Sequence, residues 1–329
     1  MVASPSMPHR FTAIPMTRPP FDALSAALDR LLVGQRPLIH QLLVALLAGG
    51  HVILEGVPGT GKTLAVKLLA QFIQSQFRRV QLTPDMLPSD VVGVNVFDFN
   101  QQSFSLKKGP VFTEILLADE INRTPPKTQS ALLEAMEEQQ VTLDGQTHPL
   151  PPLFWVVATQ NPLEFEGTYP LPEAQLDRFL FKLVVDYPPA TAAKQMLVNF
   201  QAGFQAQRQD LEKLTAIATV TDILTSRQAV DGLNVDEKLL DYLLTLVEKT
   251  RHHPDLFIGA SPRAALRWLQ AAKADAWLNG QDYLLPDNIK TVALPLLRHR
   301  LILRPEAQLD GVDIADVITG IVEQTAVPR

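Results

Sequence analysis

Hydrophobic residues recur along the first half of this chain in two alternating periods. Short apolar runs at residues 51–56, 115–120 and 153–161 are typical of buried strands. Between these runs, residues 63–76 and 128–139 place their apolar side chains at helical spacing. Strands that alternate with helices usually pair in parallel. This half of the chain is therefore predicted to form a parallel sheet covered by helices.

The pattern changes after Pro188–Pro189, beyond which the periodic stretches are helical. We therefore expect an α/β nucleotide-type domain over residues 20–188 and an all-helical domain over residues 189–329. Five prolines among the first twenty residues indicate a flexible N-terminal arm over residues 1–19. The helices predicted after the joint span residues 192–200, 209–218, 235–251, 262–277 and 286–299.

The remaining segments of the first half predict two hairpins, a helix and a last strand. An alternating stretch within residues 84–110 has its turn near Asn100–Gln102. Asp144–Gly145, between two short polar strands, is the strongest short-range hairpin signal. A helix is predicted to begin within residues 174–179, and the last strand to follow at residues 181–187.

The composition narrows the classes of function. The chain has 329 residues, of which 46% are hydrophobic and 19% charged, and this excludes global disorder. It contains no cysteine, which excludes disulfides, thiol nucleophiles and cysteine-ligated zinc. A net charge of −6 argues against a nucleic-acid partner, and the pair Arg78–Arg79 is expected to be solvated.

The chain shows no targeting segment that would place it in or across a membrane. Its longest apolar run, residues 42–54, is too short for a membrane span, which needs about 20 residues. The N-terminus lacks the unbroken apolar core of a signal peptide. We expect a soluble, cytoplasmic protein, and peripheral membrane contact stays open.

A glycine-rich loop carries the first chemical signal. Its sequence, GVPGTGKT, matches G-x-x-x-x-G-K-[ST] between a predicted strand and a predicted helix. In such a loop the backbone N–H groups and the helix N-terminus cradle phosphates. Lys62 would reach the β- and γ-phosphates, and the Thr63 hydroxyl would bind Mg²⁺, so ATP or ADP with Mg²⁺ is the expected ligand. The nucleotide-binding residues predicted here are Gly56, Val57, Pro58, Gly59, Thr60, Gly61, Lys62 and Thr63.

Polar residues at the ends of two later strands complete the predicted site. Asp119 and Glu120 end an apolar strand, and the carboxyl ends of parallel strands face the ligand in open α/β sheets. Asp119 would hold Mg²⁺, and Glu120 would polarise the attacking water. Asn161 ends the next apolar strand and either contacts that water and the γ-phosphate or serves only as a turn residue before Pro162.

The order of these motifs resembles the AAA+ ATPases, and within them the MoxR family. The resemblance implies a P-loop NTPase αβα sandwich with a parallel sheet, followed by a helical lid. It also implies a homo-oligomeric ring, usually a hexamer, that binds ATP between subunits. The stretches that carry the resemblance are LEGVPGTGKT (54–63), FTEILLADEINRTPPKTQSALLEAMEE (112–138), ATQNP (158–162), YPLPEAQLDRF (169–179) and GASPRA (259–264).

The resemblance assigns roles to arginines outside the phosphate loop. Arg178 matches the finger that a neighbouring subunit inserts to neutralise charge on the γ-phosphate. Alternatively, Arg178 pairs with Asp177 or Glu173 on its own helix. Arg263 matches the sensor-2 arginine of the lid, and the sequence leaves open whether it acts within its own subunit or on the neighbour's. Arg123 is a weaker candidate that either faces the next subunit or lies on the surface.

The resemblance also places residues around the base and on the ring face. Val33 and Gly34 lie where the family wraps adenine with backbone, or they form only a turn between two helices. The two predicted hairpins match insertions of this AAA+ branch that contact clients. Phe97, Phe99 and Phe104 alternate in the first of them. They are either client contacts or ordinary sheet packing, and the alternation favours packing.

These features favour an ATP-driven remodelling enzyme. MoxR-type proteins are thought to remodel or assemble client protein complexes, often with a separate partner that carries a von Willebrand factor A domain. Three alternatives stay open: an ATP-regulated scaffold or membrane-associated polymer, a magnesium-chelatase-like subunit, and a nucleic-acid-acting AAA+ motor.

Overall fold

The computed structural model describes residues 21–100, 102–162, 168–201 and 214–328. The predicted N-terminal arm lies outside the described residues. The helices are α1 (Phe21–Leu31), α2 (Arg36–Leu47), α3 (Lys62–Phe72), α4 (Pro88–Val92), α5 (Pro126–Glu138), α6 (Glu173–Leu176), α7 (Ala190–Gln201), α8 (Val220–Asp231), α9 (Glu237–Arg251), α10 (Pro262–Leu278), α11 (Pro286–Leu297), α12 (Pro305–Leu309) and α13 (Ile314–Glu323). The strands are β1 (His51–Glu55), β2 (Phe77–Gln81), β3 (Gly93–Asp98), β4 (Ser103–Lys108), β5 (Ile115–Asp119), β6 (Gln140–Leu143), β7 (Gln146–Pro149), β8 (Trp155–Gln160), β9 (Phe179–Val184), β10 (Leu256–Ile258) and β11 (Ile302–Leu303).

The central sheet has five strands in the order β2-β5-β8-β1-β9, and every pairing in it is parallel. The predicted α/β fold is therefore confirmed. Since all five strands run the same way, their carboxyl ends meet at one edge of the sheet and their amino ends at the other. The phosphate loop follows β1, the acidic pair ends β5, and Asn161 follows β8, so these motifs share the carboxyl edge.

Each face of the sheet buries its own hydrophobic cluster, because successive strand residues point to opposite faces. In β5, Leu117 packs into the cluster on one face, whereas Leu116 and Ala118 pack into the cluster on the other. The first cluster continues into the second half of the chain, where Trp268 and Leu296 are fully buried in it. The helical half therefore packs directly against the sheet domain.

Helix α2 is the element that joins the two halves. Eight of its twelve residues are buried, and it contacts α8 and α10 as well as β1 and β9. The prediction of a domain boundary near residue 189 stays a proposal. It is supported by the change from strands to helices after β9.

Both predicted hairpins form. β3 pairs with β4, and β6 pairs with β7 across Asp144–Gly145. The side-chain amide of Asn95 donates to the Asp144 carboxylate at 2.8 Å and links the two hairpins. The favoured sheet packing of the aromatic residues is limited to contacts among the three rings, because Phe99 is 85% and Phe104 is 73% exposed. Their rings contact Phe97 edge to face on the outside of the hairpin.

Several elements differ from the sequence-based expectations. The helix expected from residue 174 is only the four-residue α6, because β9 begins at Phe179. Of the predicted helix 209–218, residues 214–218 are not helical and the rest lies outside the described residues. The second half is helical as predicted, apart from the short antiparallel ladder of β10 and β11.

Helix α8 was missed although the sequence carries a signal for it. Thr219 and Asp222 form a capping box at its start, in which each residue's side chain bonds the other's backbone N–H. None of the helices in the described parts of the chain is long and apolar enough to cross a membrane.

Candidate functional site

The phosphate loop connects β1 to α3 at the carboxyl edge of the sheet. A Cβ at Gly56 would collide with the carbonyl oxygen of Val185, so only glycine fits where the loop leaves the strand. Gly61 has φ 85° and immediately precedes α3, a left-handed conformation that favours glycine. A side chain at Gly61 would meet no atom within 4 Å, so this turn faces open space at a helix N-terminus. This arrangement fits the phosphates of a nucleotide.

Lys62 lies at the first position of α3 and folds back over the loop. Its Nζ donates to the carbonyl oxygens of Gly56 and Val57, the latter at 2.9 Å. Burial lowers the pKa of Lys62, and the charges of Asp119 and Glu120 partly offset that effect. The ammonium is therefore held beside the acidic pair, where phosphate oxygens can replace the loop carbonyls as its acceptors.

Asp119 is fixed by the two strands that flank β5. Its Oδ1 accepts a hydrogen bond from the Thr159 hydroxyl at 3.0 Å, and its Oδ2 accepts one from Arg79 Nε at 2.5 Å. Asp119 itself is buried. Arg79 is exposed, as expected of a surface pair, but its ion pair with Asp119 was not predicted. With the Thr63 hydroxyl, this carboxylate supplies the oxygen ligands that Mg²⁺ prefers.

Glu120 has an unusual backbone and two side-chain donors. Its φ is 61°, which is uncommon for a residue other than glycine, and its N–H donates to the Thr159 hydroxyl at 3.0 Å. Its Oε2 accepts from Gln81 Nε2 at 2.6 Å and from Arg123 Nη1 at 3.0 Å. Arg123 therefore contacts the acidic pair of its own chain.

Asn161 lies at the same edge of the sheet. It directly follows β8, which pairs with β5 through Ala118 and Ala158, and its side chain is buried. The structure therefore brings Lys62, Glu120 and Asn161 to one edge, as the motifs predicted.

A cavity of about 370 Å³ adjoins the phosphate loop. Gln35, which lines it, donates through Nε2 to the carbonyl oxygen of Thr60 at 3.4 Å. Gly34 lines it too, and a Cβ there would stand 2.6 Å from the Cβ of Ala192. Val33 is not among the lining residues. The other lining residues are Pro37, Leu38, Gln41, Lys182, Leu183, Val184, Val185, Asp186, Tyr187, Pro188, Pro189, Leu294, Pro295 and Arg298. A lining that mixes apolar side chains with polar and charged ones, beside a phosphate loop, suits a nucleotide.

Arg178 lies at the opposite edge of the sheet from the phosphate loop. It directly precedes β9, whose first residue, Phe179, pairs with His51 at the start of β1. The phosphate loop begins only after Glu55, the last residue of the five-residue β1. At about 3.3 Å per residue, that strand alone separates the two edges by roughly 13 Å. The structure therefore does not bring Arg178 together with Lys62.

Arg178 and Arg263 bind the same carboxylate. Arg178 Nε lies 3.1 Å from Glu137 Oε2, and Arg263 Nη2 donates to Glu137 Oε1 at 2.7 Å. The hydrogen bond from Arg263 holds the pKa of Glu137 below its usual range, and the Arg178 charge adds to this effect. Asp177, one alternative partner of Arg178, instead accepts from Arg300 Nε at 2.7 Å. Glu137 thus joins α5, the loop before β9, and α10 at the amino edge.

Sequence reasoning missed Glu137, Gln81 and the Arg79 ion pair. Glu137 lies near the end of α5 in a stretch with no catalytic motif, and its partner Arg263 is 126 residues away. Gln81 and Arg79 alternate with Val80 along β2, so their shared direction was available from strand periodicity.

The fold and the site define a P-loop ATPase of the AAA class. The family model described as "ATPase family associated with various cellular activities (AAA)" matches residues 51–181, and the AAA lid domain model matches residues 248–321. The chain is 40% identical to Chaperone MoxR1 of Mycobacterium tuberculosis over 91% of this chain and 80% of that protein. It is 45% identical to YeaC of Bacillus subtilis over 92% of each chain. The chain belongs to the MoxR family of AAA+ ATPases.

A solved structure supports the same conclusion. A crystal structure of a Cytophaga hutchinsonii protein, described as a candidate ATPase, has a TM-score of 0.84 to this chain and 39% sequence identity. The similarity covers 94% of this chain and 95% of that one. It therefore extends through both the sheet domain and the lid.

Proposed function

We propose that this protein hydrolyses ATP to ADP and phosphate at the interfaces between subunits of a homo-oligomeric ring, with a hexamer as the expected form. One observation carries the proposal. Arg178 and Arg263 lie at the opposite sheet edge from Lys62 of the same chain. An arginine side chain does not span that separation, so these cations can complete a phosphate site only on a neighbouring subunit.

Within one subunit, five residues of the carboxyl edge have assigned tasks. Lys62 neutralises the β- and γ-phosphates, and Thr63 and Asp119 would hold Mg²⁺, which supplies further charge neutralisation between those phosphates. Glu120 accepts a hydrogen bond from the attacking water and orients it. Asn161, beside the acidic pair, positions the same water or a γ-phosphate oxygen.

The neighbouring subunit supplies the remaining positive charge. Arg178 would act as the finger that neutralises charge developing on the γ-phosphate. Because Arg263 shares Glu137 with Arg178, we assign Arg263 to the same face of the subunit and therefore to the neighbour's nucleotide. The shared carboxylate thus favours action on the neighbour over action within the same subunit. Gly34 would contact the base, and Val33 is supported only by being its neighbour.

We further propose that ATP turnover drives remodelling or assembly of client protein complexes, in the cytoplasm and with a separate von Willebrand factor A domain partner. Two observations support a remodelling role: a relative at 40% identity is named a chaperone, and the β3–β4 hairpin exposes Phe99 and Phe104. Exposed aromatic side chains are common anchors in protein–protein contacts.

Two variants test the ATPase proposal with a matched control. Lys62→Ala should abolish nucleotide binding, whereas Glu120→Gln should bind ATP and not hydrolyse it, because only the second variant keeps the phosphate contacts. Lys67→Ala changes an exposed lysine on the same helix and should leave both properties unchanged. Nucleotide binding is measured by calorimetry and turnover by phosphate release. Wild-type turnover by Lys62→Ala would contradict the proposal.

A further inference from the structure

Arg298 is a lid residue that lines the cavity beside the phosphate loop. It follows α11 directly, and that cavity also contains Gly34, Gln35 and Lys182. The next two residues in sequence point elsewhere. His299 and Arg300 both bond the carbonyl oxygen of Phe179 at the amino edge of the sheet. Arg298 is therefore a lid arginine that faces the nucleotide side of its own subunit.

The Arg298 guanidinium is half-buried and lacks a close partner. Burial lowers its pKa, while the charges of Glu55, Asp313 and Asp186 raise it. Glu55 is already bound by Lys182 at 2.8 Å. Within the described ranges, the Arg298 guanidinium forms neither a hydrogen bond nor an ion pair. A guanidinium has five N–H donors, so an anionic ligand with several oxygens suits this position.

The position of Arg298 limits what that anion can be. Gln35 lines the cavity and contacts Thr60 of the phosphate loop. Glu55, whose charge acts on Arg298, immediately precedes that loop in the sequence. The apolar part of the lining, formed by Leu38, Leu294 and Pro295, suits a base rather than a free phosphate. A nucleotide supplies both chemistries in one molecule.

We propose that Arg298 binds the phosphate chain of the nucleotide held in its own subunit. The inference rests on the proposed function, because it needs the nucleotide at the phosphate loop. It gives the lid two arginines with different targets. Arg298 links the nucleotide of its own subunit to the lid, and Arg263 faces the nucleotide of the neighbouring subunit. Nucleotide binding would then fix the lid against the sheet domain directly.

The test measures the affinity of Mg·ADP for wild type, Arg298→Gln and the control Arg304→Gln by calorimetry. ADP is the probe because it lacks the γ-phosphate that the neighbour's arginines contact. Arg298→Gln should weaken ADP binding about tenfold or more, the usual cost of losing a hydrogen bond to a charged group. Arg304→Gln, which removes an exposed arginine from the same lid, should leave the affinity within about twofold.

A second readout separates a nucleotide contact from a structural role. Hydrogen exchange in α11 should slow on adding ADP to wild type and to Arg304→Gln, but not on adding it to Arg298→Gln. If Arg298→Gln is unstable without nucleotide, Arg298→Lys replaces it, since lysine keeps the charge beside Glu55 and Asp186. The single ammonium of the lysine should then retain part of the affinity for ADP. Wild-type affinity for ADP in Arg298→Lys would overturn the inference.

The outcomes distinguish this inference from the proposed function. If Lys62→Ala loses ADP binding while Arg298→Gln binds ADP as wild type does, Arg298 is not a nucleotide contact and the ATPase site stands. If Lys62→Ala binds ADP normally, the phosphate loop is not the site, and both proposals are wrong.

Discussion

At the scale of single residues, Asp119 is the proposed Mg²⁺ ligand, and its carboxylate is already occupied by other partners. Its carboxylate already accepts hydrogen bonds from Arg79 and Thr159. The Arg79 side chain is 53% exposed, so the pair is weak enough to be displaced. A metal ion at this site could therefore replace Arg79 as the positive charge beside Asp119.

The first prediction concerns this ion pair. Arg79→Ala removes the competing cation, so the Mg²⁺ concentration that gives half-maximal ATP binding should fall, by up to about fivefold for an exposed pair. Titrating Mg²⁺ at fixed ATP and recording bound nucleotide measures it. Arg78→Ala is the control, because Arg78 instead approaches the carbonyl oxygen of Gly109 at 3.4 Å. An increased Mg²⁺ requirement in Arg79→Ala would contradict this account of Asp119.

The second prediction concerns pH. Burial lowers the pKa of His51 from its usual 6.5 to about 4. Between these values the unfolded chain binds a proton that the folded chain does not. The free energy of unfolding should therefore fall by about 1.4 kcal/mol per pH unit as the pH decreases through this range. His299 shifts in the same direction and adds to the effect.

Denaturant unfolding of wild type and His51→Asn at several pH values measures this slope. The variant should lose stability at neutral pH, since His51 bonds Met136 and Val156. Its dependence on pH should nevertheless be shallower than that of wild type. His252→Asn, which changes an exposed histidine, is the control. Equal slopes in wild type and His51→Asn would show that His51 is not buried in its neutral form.

At the scale of elements, Glu137 joins three segments that the chain separates widely. The third prediction is that Glu137→Gln lowers ATP turnover of the assembled protein while leaving ATP binding unchanged. The reason is that Arg178 and Arg263 lose their shared charged anchor but Lys62 is untouched. Glu138→Gln, at an exposed neighbouring carboxylate, serves as the control. Loss of ATP binding in Glu137→Gln would place these arginines in the same-chain site instead.

The fourth prediction concerns the exposed aromatic residues of the β3–β4 hairpin. Phe99→Ser and Phe104→Ser should change the melting temperature little, because neither ring is buried. In the otherwise wild-type protein, both substitutions should leave ATP turnover without a client unchanged. When combined with Glu120→Gln, both should reduce the amount of client captured in ATP. Phe154→Ser, which removes a buried ring, is the contrasting variant and should be strongly destabilising. A large loss of stability in Phe99→Ser would show that the Phe99 ring serves mainly to pack the hairpin.

The elements differ in how much of them the sequence predicts, and the reason is physical. β1, β5 and β8 are nearly continuous apolar runs, because parallel strands in this sheet are buried on both faces. The carboxyl-edge site follows from them, since each of its groups lies next to a strand end. Glu137 could not be found in this way, because its partners come from distant segments that meet only in the folded chain.

At the scale of the whole molecule, the sheet domain and the lid share one hydrophobic cluster. Leu42 and Leu46 of α2 pack with Trp268 and Leu296 of the lid in that cluster. A lid anchored in this way holds Arg263 at the amino edge and Arg298 beside the cavity. One subunit therefore has a nucleotide-binding edge and an arginine-bearing edge, and stacking such subunits in a ring would bring the two together.

Mixing two inactive variants tests this arrangement most directly. Under the proposal, Lys62→Ala loses nucleotide binding and Arg178→Ala leaves the neighbour's site incomplete, so each assembled variant alone should turn over little ATP. In an equal mixture, some interfaces combine an intact Lys62 from one subunit with an intact Arg178 from the next. If sites act independently, the mixture should recover about a quarter of the wild-type rate, since both intact groups meet at that fraction of interfaces. If Arg178 acted on the nucleotide of its own subunit, no subunit in the mixture would be complete, and the rate would stay at the level of the separate variants.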